Sequence, residues 1–259
     1  MPASVCQSNR IPLMLPPFAA PVLPAPWRLY PLGDAAVVLE CGDVISPETH
    51  ARIQALDAAL EAYPLPGLVE YVPAFTTLTV FFDPWLLYQA GYPDPYAAVV
   101  EHVQQLLLPE LAPLATQHAA PPVEVPVCYG GKFGPDLDEV ARHTGLSPAE
   151  VISLHAAPDY LVYMIGFAPG FPYLGGLDTR LATPRKAQPR PLVPAGSVGI
   201  AGPQTGIYSL PTPGGWQLIG RTPLRLFRPG DAEPSLLHAG QRLRFVPISA
   251  AEFDQLATP

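Results

Sequence analysis

The stretch Tyr163-Met-Ile-Gly166-Phe-Ala-Pro169-Gly170-Phe171-Pro172-Tyr173-Leu-Gly175-Gly176-Leu177-Asp178 decides how the second half of the chain must fold. Two further blocks continue it: Pro194-Ala-Gly196-Ser197-Val-Gly199-Ile-Ala-Gly202 and Gly214-Gly215-Trp216-Gln217-Leu-Ile-Gly220-Arg221-Thr222-Pro223. Glycine serves where φ is positive or where backbone comes too close for a Cβ, and proline fixes φ and removes a donor. Their interleaving with aromatics forbids a helix. It predicts short strands, tight corners and ordered loops, the kind of segment on which function concentrates.

Working outward, strands are expected around Leu192 and at 197–200, 207–210, 217–221, 224–227 and 242–246. A last helical turn is expected at 249–256. Upstream, Val123–Tyr129 and Tyr160–Phe167 read as strands. Asp136–Thr144 reads as a helix ended by Gly145, and Ser147-Pro148-Ala-Glu150 reads as a capping box opening another. Many short strands between Gly/Pro turns imply a barrel or sandwich.

The first half has a different rhythm. Strands are expected at 27–30, 35–40, 68–72 and 77–82. Ser46-Pro47 starts one helix, whose inward row is Ile53, Leu56, Leu60 and Tyr63, and Asp94-Pro95 starts another running to about Leu108. Strand, strand, helix, strand, strand, helix describes a small α+β sandwich at 27–108. Residues 109–122, rich in Pro, Ala and Leu, read as a linker, and 123–259 as a mainly-β domain. Residues 1–26 carry one charge, Arg10, and six prolines between Ile11 and Pro26, so they read as an extended or disordered tail and not as a signal or membrane helix.

The 259 residues are 49% hydrophobic and 14% charged, enough for a sizeable core, and no apolar run is long enough to span a bilayer. The net charge of −8 argues against non-specific nucleic-acid binding. Cys6, Cys41 and Cys128 are sparse and unpaired in spacing, which fits reduced thiols in the cytoplasm.

Several motifs end in bland readings. Residues 136–151 resemble a helix-turn-helix, but no Lys or Arg lies between Ser147 and Asp159 to meet phosphates, so two helices packed beside a barrel are expected. Gly130-Gly131-Lys132-Phe133-Gly134 lacks P-loop spacing, and no P-loop occurs in the chain. Lys132 stays a candidate ligand contact. The six histidines make no metal-ligand spacing, and His50, His102, His143 and His155 are expected on helix surfaces. Ala195-Gly196-Ser197-Val198-Gly199 displaces the first glycine of a nucleophile elbow, so Ser197 reads as a turn or hydrogen-bonding residue. No catalytic residue is identifiable.

The cations of the glycine-rich half carry the chemistry. Arg185, Lys186 and Arg190 follow the first block and Arg221 closes the third. A guanidinium fork takes carboxylate or phosphate two-pronged. Arg185 and Arg221 with Gln204, Thr205, Tyr208, Phe171 and Tyr173 would make an anion pocket with an aromatic wall. Equally, the arginines would brace loops by pairing with Asp178 or backbone carbonyls, and both readings stand open.

The three glycine-rich blocks resemble the signature blocks of the family that contains the B subunit of 5-oxoprolinase, the kinase inhibitor KipI and proteins labelled allophanate hydrolase subunit 1. They are also similar to part of the carboxyltransferase region of urea carboxylase. The resemblance runs from about Trp27 to Ile248 and implies a cyclophilin-like β-barrel for the second domain. It implies a subunit of an ATP-dependent lactam hydrolase, working with subunits A and C on 5-oxoproline to give L-glutamate and inactive alone. The ATP site is not expected within this chain alone. KipI-like inhibition of a sensor histidine kinase is the alternative of a different class, and an allophanate or urea carboxylase-related role is a third.

Overall fold

The computed structural model describes residues 27–107 and 121–257. The expected tail at 1–26 lies outside them, as does nearly all of the expected linker. Strands β1 (Arg28–Pro31), β2 (Ala36–Glu40), β3 (Leu68–Pro73) and β4 (Thr77–Phe82) form one antiparallel sheet in the order β1-β2-β4-β3. In β4, Leu78, Val80 and Phe82 are buried while the residues between them are less so, the period of two that the sequence shows.

Helices α1 (Pro47–Ala62) and α3 (Pro95–Leu106) pack on the sheet through Ile53, Leu56, Leu60, Val99 and Val103. Their starts follow the cap chemistry, with Ser46 Oγ accepting from Thr49 N at 3.1 Å and Asp94 Oδ1 from Ala97 N at 3.0 Å. Tyr63, expected on the inward row of α1, forms its C-cap and is exposed. A short helix unforeseen in the sequence, α2 (Pro84–Gln89), starts at Asp83, whose carboxylate caps Trp85 N and Leu86 N.

The remaining strands close a barrel. They are β5 (Val123–Tyr129), β6 (Tyr160–Ile165), β7 (Pro172–Gly175), β9 (Ser197–Ala201), β10 (Gln204–Ile207), β12 (Gln217–Arg221) and β13 (Arg242–Pro247). Their order around the barrel is β10-β7-β6-β13-β5-β12-β9, antiparallel except for β13 beside β5. A two-stranded ribbon, β8 (Arg190–Val193) with β11 (Thr212–Gly214), lies outside it. Helices α4 (Leu137–Thr144) and α5 (Pro148–Ala156) pack against β12 and β13, and α6 (Ala250–Leu256) closes the chain. Ser147 and Glu150 form the expected capping box, and Gly145 ends α4 at φ 72.

Two strand expectations shift. β10 begins at Gln204 and ends at Ile207, not 207–210. Residues 224–227 make no ladder beyond a single bridge from Phe227 to Ser235, because Pro223 and Pro229 bracket a segment that instead buries Leu226. The barrel interior is filled by Val125, Val127, Val162, Val198, Ile200, Ile207, Ile219 and Phe245. No helix among the described residues is long and apolar enough to cross a membrane.

Candidate functional site

The 183–190 loop is rich in prolines and is tacked to the barrel at three points. Gly202 N donates to Thr183 O at 2.7 Å, Lys186 N to Gly215 O at 2.7 Å, and the Gln217 Nε2 amide to Pro184 O at 3.0 Å. Between these anchors the Arg185 side chain projects outward, with no hydrogen bond or ion pair among the described residues.

Asp136 holds the other end of the loop. Its Oδ1 accepts from Arg190 at 2.7 Å and from Lys186 at 3.1 Å, and its Oδ2 accepts from Leu218 N at 2.7 Å. Asp136 is only 4% exposed. Burial opposes its charge, but the bonds from Arg190, Leu218 and Lys186 outweigh that and hold its pKa below the ordinary carboxylate value. Gly134 allows this close approach, since a Cβ there would collide with the Ile219 carbonyl. One carboxylate thus serves two cations, and with Arg185 the region carries surplus positive charge in a chain of net charge −8.

A cleft of about 570 Å³ opens between α4 and this loop, with Arg185, Lys186, Gln188, Gln217 and, from α4, Glu139 and His143 on its walls. Glu139 is paired with Arg142. Gln217 is 6% exposed and its Oε1 has no hydrogen-bond partner. Arg190 Nη1 is likewise buried without a partner. A smaller hollow of about 140 Å³ lies at Arg225 and Arg228, where Arg228 is already paired with Asp231 at 3.6 Å.

The expected aromatics form a packed cluster, though none of them is on the cleft wall. Phe171 packs on Tyr173 at 4.9 Å, Tyr208 at 5.4 Å and Trp216 at 5.6 Å between ring centroids, the last two edge-on. Glycine at 214 is required because Tyr208 sits where its Cβ would be. Burial raises the pKa of both Tyr173 and Tyr208, and the nearby Arg185 charge pulls both the other way. Phe167 covers the edge of this cluster, 61% exposed and at φ 66, a conformation that costs a non-glycine residue about 1–3 kcal/mol.

The structure gathers Phe171, Tyr173 and Tyr208 into one cluster within electrostatic reach of Arg185, but of the expected residues Arg185 alone stands on the cleft wall among the described residues. Gln204 lies half-buried at the start of β10, opposite Ala201. Thr205 is fully buried in the barrel, donating to Gly199 O at 3.0 Å and bonded to His155 Nε2 at 2.9 Å. Arg221 donates from Nε to Ala195 O at 2.9 Å, a brace between loops. It stands four residues along β12 from Gln217, roughly 13 Å away at strand rise, and is not on the cleft wall. Lys132 lies over the Phe133 ring at 4.9 Å. Three amides of its turn (Gly130, Phe133 and Gly134) already donate to backbone carbonyls, so the turn does not fit a phosphate cradle.

Two histidines expected on surfaces are buried. His155 is fully enclosed, its Nδ1 bonded to the Tyr129 hydroxyl at 2.8 Å and its Nε2 to Thr205. Because Thr205 donates its own hydrogen to Gly199, His155 must donate from Nε2 and accept at Nδ1. Desolvation pushes its pKa down to about 3. His50 is 2% exposed, edge-on to Tyr163 at 5.2 Å, with neither ring nitrogen bonded. Asp136 and Gln217 are the site residues that the sequence did not flag.

The family "Carboxyltransferase domain, subdomain C and D" matches residues 27–237. The chain belongs to this carboxyltransferase-domain family. Within it, the chain is 49% identical to the 5-oxoprolinase B subunit of Bacillus subtilis (strain 168), over 88% of this chain and 95% of that protein. It is 44% identical to the 5-oxoprolinase B subunit of Escherichia coli O157:H7, over 85% and 95%. Among solved structures, TTHA0988 superposes with a TM-score of 0.71 at 40% identity, covering 83% of this chain and 40% of that one.

Proposed function

We propose that this chain is the B subunit of an ATP-dependent 5-oxoprolinase, which opens the lactam of 5-oxoproline to L-glutamate together with subunits A and C. The observation that carries the reading is end-to-end similarity: relatives of that name align over 95% of their own length at 44–49% identity. Water adds to the ring carbonyl carbon, the ring C–N bond breaks, and the nitrogen leaves as the α-amino group of glutamate. ATP would supply the driving force by phosphorylating the amide oxygen, with ADP leaving, and a second water would release that phosphoryl group as phosphate. In this reading the ATP site belongs to the assembled complex and not to this chain alone. The cation-rich cleft supports a substrate-facing part for this subunit. The chemistry is assigned to the assembled complex, and the chain alone is expected to be inactive.

In this reading residues 27–108 and 123–259 are two domains, the second a cyclophilin-like barrel, and the protein works in the cytoplasm. The test is ATP-dependent glutamate release from 5-oxoproline by co-expressed A, B and C subunits, with this chain included or omitted. Release that requires this chain, and none from the purified chain alone, is expected. An intact complex that releases no glutamate, or turnover by the single chain, contradicts the reading.

A further inference from the structure

We propose that the cleft between α4 and the 183–190 loop is the lactam pocket, with Gln217 Oε1 taking the ring N–H and the Arg185 guanidinium taking the carboxylate. This rests on the oxoprolinase reading above. Gln217 supplies the first half of the argument. Its Nε2 donates to Pro184 O, and turning the amide over would set two oxygens against each other, so the orientation is fixed with Oε1 as a buried acceptor that has no partner. A buried acceptor left unbonded costs stability, and a ligand N–H that reaches it recovers that cost. An apolar residue would fill the same space without the penalty.

Arg185 supplies the second half. It is the cleft arginine not spent on Asp136, and a guanidinium fork matches a carboxylate. Lys186 and Arg190 share a single carboxylate, so the surroundings keep a positive balance that favours an anion.

Gln217 and Arg185 both line the cleft. Gln217 is bonded to Pro184, and Arg185 is the next residue, so the acceptor and the cation are neighbours on one wall. In 5-oxoproline the carboxylate is borne on the carbon bonded to the ring nitrogen, so N–H and carboxylate are neighbours too. The ring carbonyl, where the bond is broken, is then left free for the partner subunits.

Calorimetric titration of the full chain tests this with three probes: 5-oxoproline, 2-pyrrolidinone, which lacks the carboxylate, and cyclopentanecarboxylate, which lacks the N–H. On the wild type 5-oxoproline binds roughly tenfold or more tighter than either fragment, as expected for losing one charge-assisted or buried hydrogen bond. Arg185→Ala weakens 5-oxoproline by a similar factor and leaves pyrrolidinone unchanged. Gln217→Leu weakens 5-oxoproline and leaves cyclopentanecarboxylate unchanged. Arg185 is exposed, so its variant keeps the test valid even where the Gln217 variant fails to fold. No binding of 5-oxoproline to the wild type, or equal binding by Arg185→Ala, overturns the assignment. In the co-expressed complex, omission of the chain abolishing glutamate release while Arg185→Ala keeps the wild-type KM sinks the pocket and leaves the oxoprolinase reading intact. A wild-type complex that releases no glutamate sinks the oxoprolinase reading, and the titration still decides the pocket.

Discussion

Two buried polar clusters sit on the same barrel and are finished differently. Inside it, His155 joins Tyr129 and Thr205, and every ring nitrogen and hydroxyl of that relay has a partner. At the cleft, Asp136 is saturated by three donors, yet Gln217 Oε1 and Arg190 Nη1 are unbonded and Arg185 has no anion. A closed network rigidifies and specifies a core. An open one holds groups ready for a ligand, at a cost the rest of the fold must carry. On the proposed reading, the difference separates residues that hold the barrel from residues that would meet a substrate.

The sharpest way to break this comparison is at its hinge. Asp136→Ala leaves Lys186 and Arg190 largely buried against no carboxylate, and removing one partner of such a set costs about 3–5 kcal/mol. A chemical-denaturation midpoint close to wild type would contradict the picture of Asp136 as the loop's anchor.

The next effect is in acid. His155 is neutral in the fold with a pKa of about 3, while the unfolded histidine titrates near the ordinary 6.5. Stability from this group is therefore complete above pH 6.5 and is lost as pH falls from 6.5 towards 3, by about 2 kcal/mol at pH 5. His50 and His102 are shifted down by burial as well and act in the same direction. Denaturation curves at pH 7.5 and pH 5 measure the loss. His155→Phe keeps an aromatic there and flattens the pH dependence even if it lowers the plateau, and an undiminished slope in that variant rejects the assignment to His155.

Thr205→Val is expected to have an effect of similar size that does not need acid. It removes the acceptor of His155 Nε2 in the closed network and costs about 1–3 kcal/mol. Any loss of glutamate release by the complex should follow that lost stability and recover at lower temperature. A loss of substrate affinity with an unchanged melting temperature would instead move Thr205 from the structural cluster to the functional one.

The two clusters were unequally legible in the sequence. Helix starts at Ser46, Asp94 and Ser147 could be read because a cap and its helix are neighbours in the chain. The aromatic cluster followed from residues crowded into one glycine-rich run. Asp136 was read only as a helix start, since its partners Lys186, Arg190 and Leu218 lie 50, 54 and 82 residues away. The histidines misled for the same reason. A polar residue on a short helix is expected outward unless its partner is known, and Thr205 is 50 residues from His155. Arg221 fell to the loop-bracing side of the alternatives left open, because the strand that carries Gln217 to the cleft takes Arg221 to the other end.

Arg185→Ala carries the smallest expected change in stability and tests the central claim most directly. Its side chain is exposed and makes no ion pair, so the melting temperature should match wild type, corresponding to a change within about 0.5 kcal/mol. The measurement to make is kcat/KM for 5-oxoproline in the co-expressed complex, beside the melting temperature of the variant chain. A fall of roughly tenfold or more, seen mainly in KM with an unchanged melting temperature, is the predicted result. Wild-type kcat/KM in a normally folded variant would contradict the claim that the open cluster is where this chain meets its substrate.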